Sequence, residues 1–331
     1  MSFKIRVLPS GHEFFAEPKS SVLDAGLIEG INLDHSCANG TCGECRARLV
    51  EGEIEQLRAH DYRLNDAEKA DGWFLMCCQR ATSDLVIETH ESDNPSDIPE
   101  QHVIAKVGKI ERLQDEVIQL NVRTPRSRGL RFLAGQGVTL HFDGMRPKHL
   151  PIASCPCDSL QLRFHVRRRA GDPFSELVFE RLKKGREVVL SGPSGGFTMD
   201  EESHRPLVFV AWESGFAPVA SLIDHVIQKD PEREIHLYWL SEIPRGHYLS
   251  NYCHAWRDAL DCFHYHSIDL QPSGSDTYAA VFNRIVQQHN PIAEWNMYMA
   301  LPSAEQYRAC NLLCEAGMPA EQMKVALLQH P

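Results

Sequence analysis

The 331 residues contain no apolar run near the ~20 that a membrane-spanning helix requires; the longest are short stretches such as LVFVAW, so no membrane span is expected. The opening MSFKIRVLPSG reads as a strand and a turn, without the apolar core of a secretory signal. Basic charge is in deficit, with 34 Lys and Arg against 45 Asp and Glu and a net charge of −11. A nucleic-acid partner needs a basic surface, so none is expected; an acidic balance suits transient docking on a basic protein face. The eleven cysteines are odd in number and lack a disulfide-like layout, which fits a reducing cytoplasm. Zinc sites favour two separated C-x2-C pairs, and one is present. Among 17 histidines no H-x3-H pair with an adjacent acid stands out, so His247, His254, His264 and His266 read as ordinary surface or core residues. Cys155, Cys157, Cys253, Cys262, Cys310 and Cys314 read as buried apolar filler.

What the chain does have is concentrated early. In CANGTCGEC, Cys37, Cys42 and Cys45 follow the C-x4-C-x2-C spacing of plant-type [2Fe–2S] proteins. One short loop supplies three thiolates only by wrapping closely, and Gly40 and Gly43 let backbone N–H groups approach the sulfurs. A fourth thiolate is needed, and WFLMCCQRATSDLVIETH offers Cys77 and Cys78 on an apparent strand. Adjacent residues of an extended backbone point to opposite sides, so one of the two ligates. The segment resembles plant-type ferredoxins, in which the last ligand lies seven residues before the Asp of an S-D-x-x-I-E-T ending. Counting back from Asp84 selects Cys77. Ala38 stands where many relatives carry Arg.

Texture changes twice along the chain. Residues 1–92 read as a compact strand–helix–strand unit, and 93–101 as a polar, proline-interrupted linker. Residues 102–203 hold alternating runs such as EVIQLNVRTP and GVTLHFDG between turn residues, the pattern of an antiparallel barrel. Residues 204–331 alternate buried strands with helices, the pattern of a parallel, doubly wound sheet that binds nucleotides at its strand carboxyl ends. The expected class is α+β multidomain: a β-grasp ferredoxin domain, an antiparallel β-barrel domain and an α/β nucleotide-binding-type domain.

That order resembles the ferredoxin–NADP reductase superfamily with an N-terminal [2Fe–2S] domain. FHVRRRAGDPFSELVFERLKKG, VLSGPSGGF and IHLYWLSE look most like the CDP-6-deoxy-3,4-glucoseen reductase branch, and oxygenase reductases share the plan. The resemblance implies FAD in the barrel, NAD(P)H in the C-terminal domain and one-electron export through the cluster to an oxygenase, desaturase or dehydratase. A flavin between hydride donor and cluster reconciles two-electron with one-electron chemistry.

The family's Arg-x-Tyr-Ser flavin motif appears here as KHLPIAS, which puts Lys148, Leu150, Ile152 and Ser154 on the flavin segment. An ammonium lacks the guanidinium fork, Leu150 lacks a π-face, and Pro151 offers neither hydroxyl nor N–H. Arg167, Gly171, Phe174 and Ser175 match a second flavin segment, with Asp172 in place of a glycine. An aspartate beside a pyrophosphate is repulsive unless it turns outward. The run Arg167, Arg168 and Arg169 reads either as a solvated strand face or as a phosphate site. Gly192, Pro193, Gly195 and Phe197 fit either the family's turn or a plain barrel-closing turn. On the nucleotide side WESGFAP keeps Ser214, Gly215 and Pro218 but places Trp212 and Glu213 where relatives carry glycines; both are expected to obstruct an anion. Ala300, Leu301 and Pro302 replace Cys-Gly-Pro, no terminal aromatic is present, and Arg233 and Arg245 are loose candidates for a 2′-phosphate. The alternative these departures raise is an accessory one-electron relay with degenerate FAD or NAD(P) sites.

Overall fold

The computed structural model describes residues 2–35, 37–92, 94–125, 128–271, 275–326 and 328. The N-terminal unit starts with β1 (Phe3–Leu8), which buries Ile5 and Val7 and turns Lys4 and Arg6 outward. It pairs antiparallel with β2 (Glu13–Ala16). In α1 (Val22–Ile28) the Ser21 hydroxyl accepts the Asp24 N–H at 3.0 Å, a side-chain cap that starts the helix. The helix buries Val22, Leu23 and Ala25 on the sheet.

The segment CRARLVEGEIE forms two strands, β3 (Arg46–Glu51) and β4 (Ile54–Gln56), because Gly52 at φ 100° turns the chain between them. After α2 (Asp66–Ala70) come β5 (Trp73–Leu75), β6 (Gln79–Ala81) and β7 (Leu85–Glu88). The order β2–β1–β7–β3–β5, with β1 and β7 parallel and α1 packed across, is a β-grasp sheet. Residues 76–78 form a turn between β5 and β6 rather than the expected continuous strand.

The second unit is antiparallel: β8 (Gln101–Gln114), β9 (Val117–Arg123), β10 (Gly137–His141), β11 (Lys148–Pro151), β12 (Gln161–Arg167) and β13 (Glu187–Ser194), with the short α3 (Pro173–Glu176) before the last. Gln101, the last residue assigned from sequence to the linker, already opens β8. In β9 the residues Ile118, Leu120 and Val122 point into the core, whereas Gln119, Asn121 and Arg123 face outward. The strand order is β11–β10–β13–β8–β9–β12, and the Ala153 N–H donates to the Arg163 carbonyl at 2.8 Å. That bond brings the chain leaving β11 against β12 and rolls the sheet into a barrel.

The third unit alternates β14 (Leu207–Trp212), α4 (Phe216–Lys229), β15 (Ile235–Glu242), α5 (Ser250–Ala259), β16 (Phe263–Leu270), α6 (Ser275–Gln288), β17 (Asn296–Ala300), α7 (Ser303–Glu315) and β18 (Met323–Val325). Its parallel order is β16–β15–β14–β17–β18. Both faces are covered, which is why β14 reads as a continuous apolar run. Leu237 and Trp239 pack with α4 and α5 on one face, Tyr238 and Leu240 with α6 and α7 on the other. Cys155 and Cys253 are buried as expected; Cys314 is exposed on the outer side of α7, where no core reaches it, and Cys157, Cys262 and Cys310 are half-buried.

Polar ties join the units. Arg131 of the barrel donates from Nη2 to Asp34 and, at 2.5 Å, to Ser92, which itself donates to Asp34 at 2.6 Å. Ser221 of α4 donates to the Ser154 carbonyl at 2.7 Å, and Arg163 of β12 meets Asp224 of α4 at 3.0 Å. Glu201, in the connection between barrel and sheet, contacts His225 at 2.9 Å and Lys229 at 2.7 Å. Burial alone would raise the Glu201 carboxyl, but His225 and Lys229 together hold it well below the ordinary value of 4.5. A depressed carboxylate contributes stability above its unfolded value and loses it as the pH falls through the folded one. Glu201→Gln is therefore expected to destabilise the fold at pH 7 by roughly 3 kcal/mol, with a smaller difference in melting temperature from the parent at pH 3 than at pH 7.

Candidate functional site

The loop after His35 turns on two glycines. Gly40 (φ 85°) and Gly43 (φ 79°) adopt the left-handed conformation, and there is no room for a side chain at either. A Cβ on Gly40 would lie 2.4 Å from the His60 Cβ and 2.6 Å from the Cys78 sulfur; one on Gly43 would lie 2.2 Å from the Tyr62 ring. Ala38 also has positive φ, at 53°. The wrapped backbone aims N–H groups at sulfur: Asn39, Thr41 and Cys42 donate to Cys37 Sγ at 3.5, 3.4 and 3.4 Å, and Glu44 donates to Cys42 Sγ at 3.4 Å.

Four thiols converge in two pairs. Cys37 and Cys42 are 3.2 Å apart at sulfur, as are Cys45 and Cys77. Burial would raise the Cys37 thiol, but the donors from Thr41, Asn39 and Cys42 bring it down to about 6, so the loop favours thiolate there. The Cys45–Cys77 hydrogen bond and then burial push Cys77 up and, through the same bond, hold Cys45 down. Thiolate-stabilising N–H donors around a closed set of four sulfurs fit a [2Fe–2S] cluster. Cys37, Cys45 and Cys77 are buried and Cys42 is half-exposed, so this last sulfur marks the side nearest solvent.

One expectation needs correction. Cys77 and Cys78 do not face opposite ways; their sulfurs are 3.4 Å apart, because they sit in the 76–78 turn and not on an extended strand. Both therefore border the loop, and Cys77 is the one that meets Cys45.

A second site lies between barrel and parallel sheet, in an open cleft. It gathers Lys148, Leu150, Arg167, Phe174 and Ser214 of the sequence-derived candidates. The others are near but not on its wall. Ile152 is wholly buried in the barrel core. Ser154 is buried against α4, and Ser175 caps its own loop by bonding the Arg169 backbone. Gly171 is exposed at φ 74° with open space around it, and Pro218 is buried in α4. Gly215 lets the β14 turn approach β17: a Cβ there would be 2.6 Å from the Ala300 carbonyl.

The charge around this cleft departs from expectation. Glu213 stands in the left-handed region at φ 46° and is 1% exposed. Its carboxylate does not project as an obstruction; it meets Arg245 Nη1 at 2.8 Å and Arg167 Nε at 3.3 Å. Arg245 is thus held by an internal carboxylate, and Arg233 donates to the Arg205 carbonyl at 2.8 Å; neither adjoins the cleft. Arg168 pairs with Glu180 on the surface while Arg167 and Arg169 line the cleft, so the arginine run divides between a solvated face and the cleft wall. Asp172 lines the cleft, where it meets Lys148 at 3.4 Å. Leu328 lines the cleft near the chain end; Leu327 and residues 329–331 lie outside the described residues. On the wall itself, His165 is buried beside Tyr248, 3.1 Å from its hydroxyl, and burial lowers it to about 3. The Arg167 Nη2 is buried with no hydrogen-bond partner among the described residues, beside walls formed by Leu150, Val166, Phe174 and Trp212. An unpartnered cationic donor next to an apolar slot fits an anionic, ring-bearing cofactor such as FAD.

Sequence alone did not disclose the Glu213–Arg167–Arg245 group, the Asp34–Arg131 tie or Leu328. A glutamate at a glycine position was the only signal for the first.

Residues 5–82 match the family described as a 2Fe-2S iron–sulfur cluster binding domain. The CDP-6-deoxy-L-threo-D-glycero-4-hexulose-3-dehydrase reductase of Yersinia pestis is 33% identical over 266 residues, covering 80% of this chain and 79% of its own. The chain belongs to that reductase family. The terephthalate 1,2-dioxygenase reductase component 2 of Comamonas sp. is 30% identical over 291 residues, 87% of this chain and 86% of its own. Among solved structures, the Amycolatopsis cytochrome P450 reductase aligns with a TM-score of 0.61 at 22% identity over 98% of both chains. Phthalate dioxygenase reductase aligns at 0.56 and 17% identity, over 68% of this chain and 67% of its own. These structural likenesses show the fold that the chain shares with them. The reductase is an oxidoreductase with an N-terminal [2Fe–2S] domain.

Cys77→Ser is expected to abolish the visible absorbance and the iron content of the purified reductase, and Cys78→Ser to keep both. Cluster retention in Cys77→Ser with loss in Cys78→Ser would move the fourth ligand by one residue.

Proposed function

We propose that this reductase takes electrons from NAD(P)H and delivers them singly, through FAD and the [2Fe–2S] cluster, to a separate oxygenase, desaturase or dehydratase in the cytoplasm. The observation that carries this is the convergence of four thiols in two pairs at 3.2 Å within a loop of inward N–H donors. Cys37, Cys42, Cys45 and Cys77 hold the iron. FAD held there would supply the exchange between two-electron and one-electron chemistry, since one hydride carries two electrons and the cluster takes them singly. Lys148 and Arg167 supply positive charge on the cleft wall for its anionic part, while Leu150, Val166 and Phe174 exclude water from the slot. Ser214 and Trp212 form the wall contributed by the nucleotide-binding unit. The division into residues 1–92, 93–101, 102–203 and 204–331 belongs to the same proposal and matches one function to each unit.

The competing reading, an accessory relay with degenerate organic-cofactor sites, has one observation in its favour. Glu213 already occupies one edge of the Arg167 guanidinium. The two separate in one preparation. The reductase is expected to show flavin as well as cluster absorbance and to reduce cytochrome c and ferricyanide with NADH or NADPH. Cluster absorbance alone, no turnover, and a melting temperature unmoved by added FAD or pyridine nucleotide would leave the relay standing, since a ligand specific for the folded form raises its stability.

A further inference from the structure

The parallel sheet carries a second cluster of ligating side chains, at the end opposite the cofactor cleft. β15 and β16 run parallel and in register, so His236 lies beside His264 and Tyr238 beside His266 on the same face. The imidazoles of His236 and His264 are 4.3 Å apart at their centroids, and Glu234 reaches the same point from the start of β15. One donor atom each from Glu234, His236 and His264 lies within 4.8 Å of the others. The cofactor cleft is built from the carboxyl end of β14, at Trp212 and Ser214, so the two sites share no residue.

We propose that Glu234, His236 and His264 bind a borderline divalent cation, Zn2+ first among them, with a coordination position open to solvent. Two imidazoles and one carboxylate are a donor set that suits such ions. A tetrahedral ion with bonds of about 2.0–2.1 Å separates its donors by about 3.3 Å, and His236 Nε2 is already 3.1 Å from Glu234 Oε1. A ligating imidazole also needs its second nitrogen oriented. The Nδ1 of His236 faces His266 Nε2 at 3.4 Å. Trp295 stands edge-on to His236 at 5.3 Å and to His289 at 4.2 Å, walling the inner side. Glu234 is half-exposed, which leaves an entry path.

Neighbouring charge sorts the histidines. Arg284 acts on His266 and repels a cation there, whereas His236 has the Glu234 carboxylate 3.1 Å from its Nε2. His289 is buried with its Nε2 bound to the Tyr238 hydroxyl at 2.9 Å, so it supports the wall and does not ligate.

The test is a titration of the cluster-loaded full chain, with iron and sulfide quantified beforehand so that the cluster thiolates are already occupied. Co2+ serves as a spectroscopic probe and Zn2+ as competitor. Expected is one equivalent of Co2+ with ligand-field bands of a nitrogen and oxygen set, displaced by Zn2+, and affinity weakened at least tenfold in His264→Asn and in the surface variant Glu234→Gln. Unchanged affinity in both variants, a thiolate charge-transfer band on Co2+, or no binding at all would overturn the proposal. The parent spectrum decides the ligand type even if His264→Asn fails to fold.

Discussion

A carboxylate removed from water needs partners, and that requirement at Glu213 organises the middle of the reductase. With 1% exposure it is neutralised by Arg245 from the β15 loop and Arg167 from the end of β12. Removing one member of a buried ion group leaves the others uncompensated, at a cost of several kcal/mol. The group therefore fixes the β14 turn in its left-handed conformation and pins barrel to sheet along one wall of the cleft. It also orients Arg167 so that its Nη2 remains for a ligand.

The aromatic layer behind the cleft holds this arrangement rigid. Phe216, directly after the Glu213 turn, stacks on Trp239 at 3.9 Å, and the Trp239 indole N–H donates to the Glu213 carbonyl at 3.1 Å. His165 and Tyr248 close the stack from the barrel and the α5 side. A strained turn persists only where its surroundings over-determine it. Here stacking, one backbone hydrogen bond and two ion pairs do so together.

Much of this was legible from the residues. The three-cysteine spacing located the cluster loop, and Gly40 and Gly43 do have the positive φ and the lack of space that spacing demanded. Strand periodicity identified the three units, because a half-buried antiparallel strand and a doubly covered parallel strand leave different apolar patterns. What escaped depends on side chains far apart in sequence. Cys78 reads as turned away until the 76–78 turn is seen. Asp172 reads as repelled from a phosphate until Lys148 is found beside it at 3.4 Å. The histidines of β16 read as unremarkable because their partners, His236 and Glu234, come from a neighbouring strand whose register no local pattern reveals.

The iron–sulfur domain is fastened at two places. Arg131 bonds Asp34 and Ser92 on the barrel side, and Gly30, at φ 78°, lies so close to α4 that a methyl group there would come within 2.9 Å of the Lys229 Cβ. Such a domain does not act as a swinging arm. Its half-exposed Cys42 side is a stationary outlet, so discrimination among acceptors falls to the contour and charge of that rim, and the acceptor travels to it.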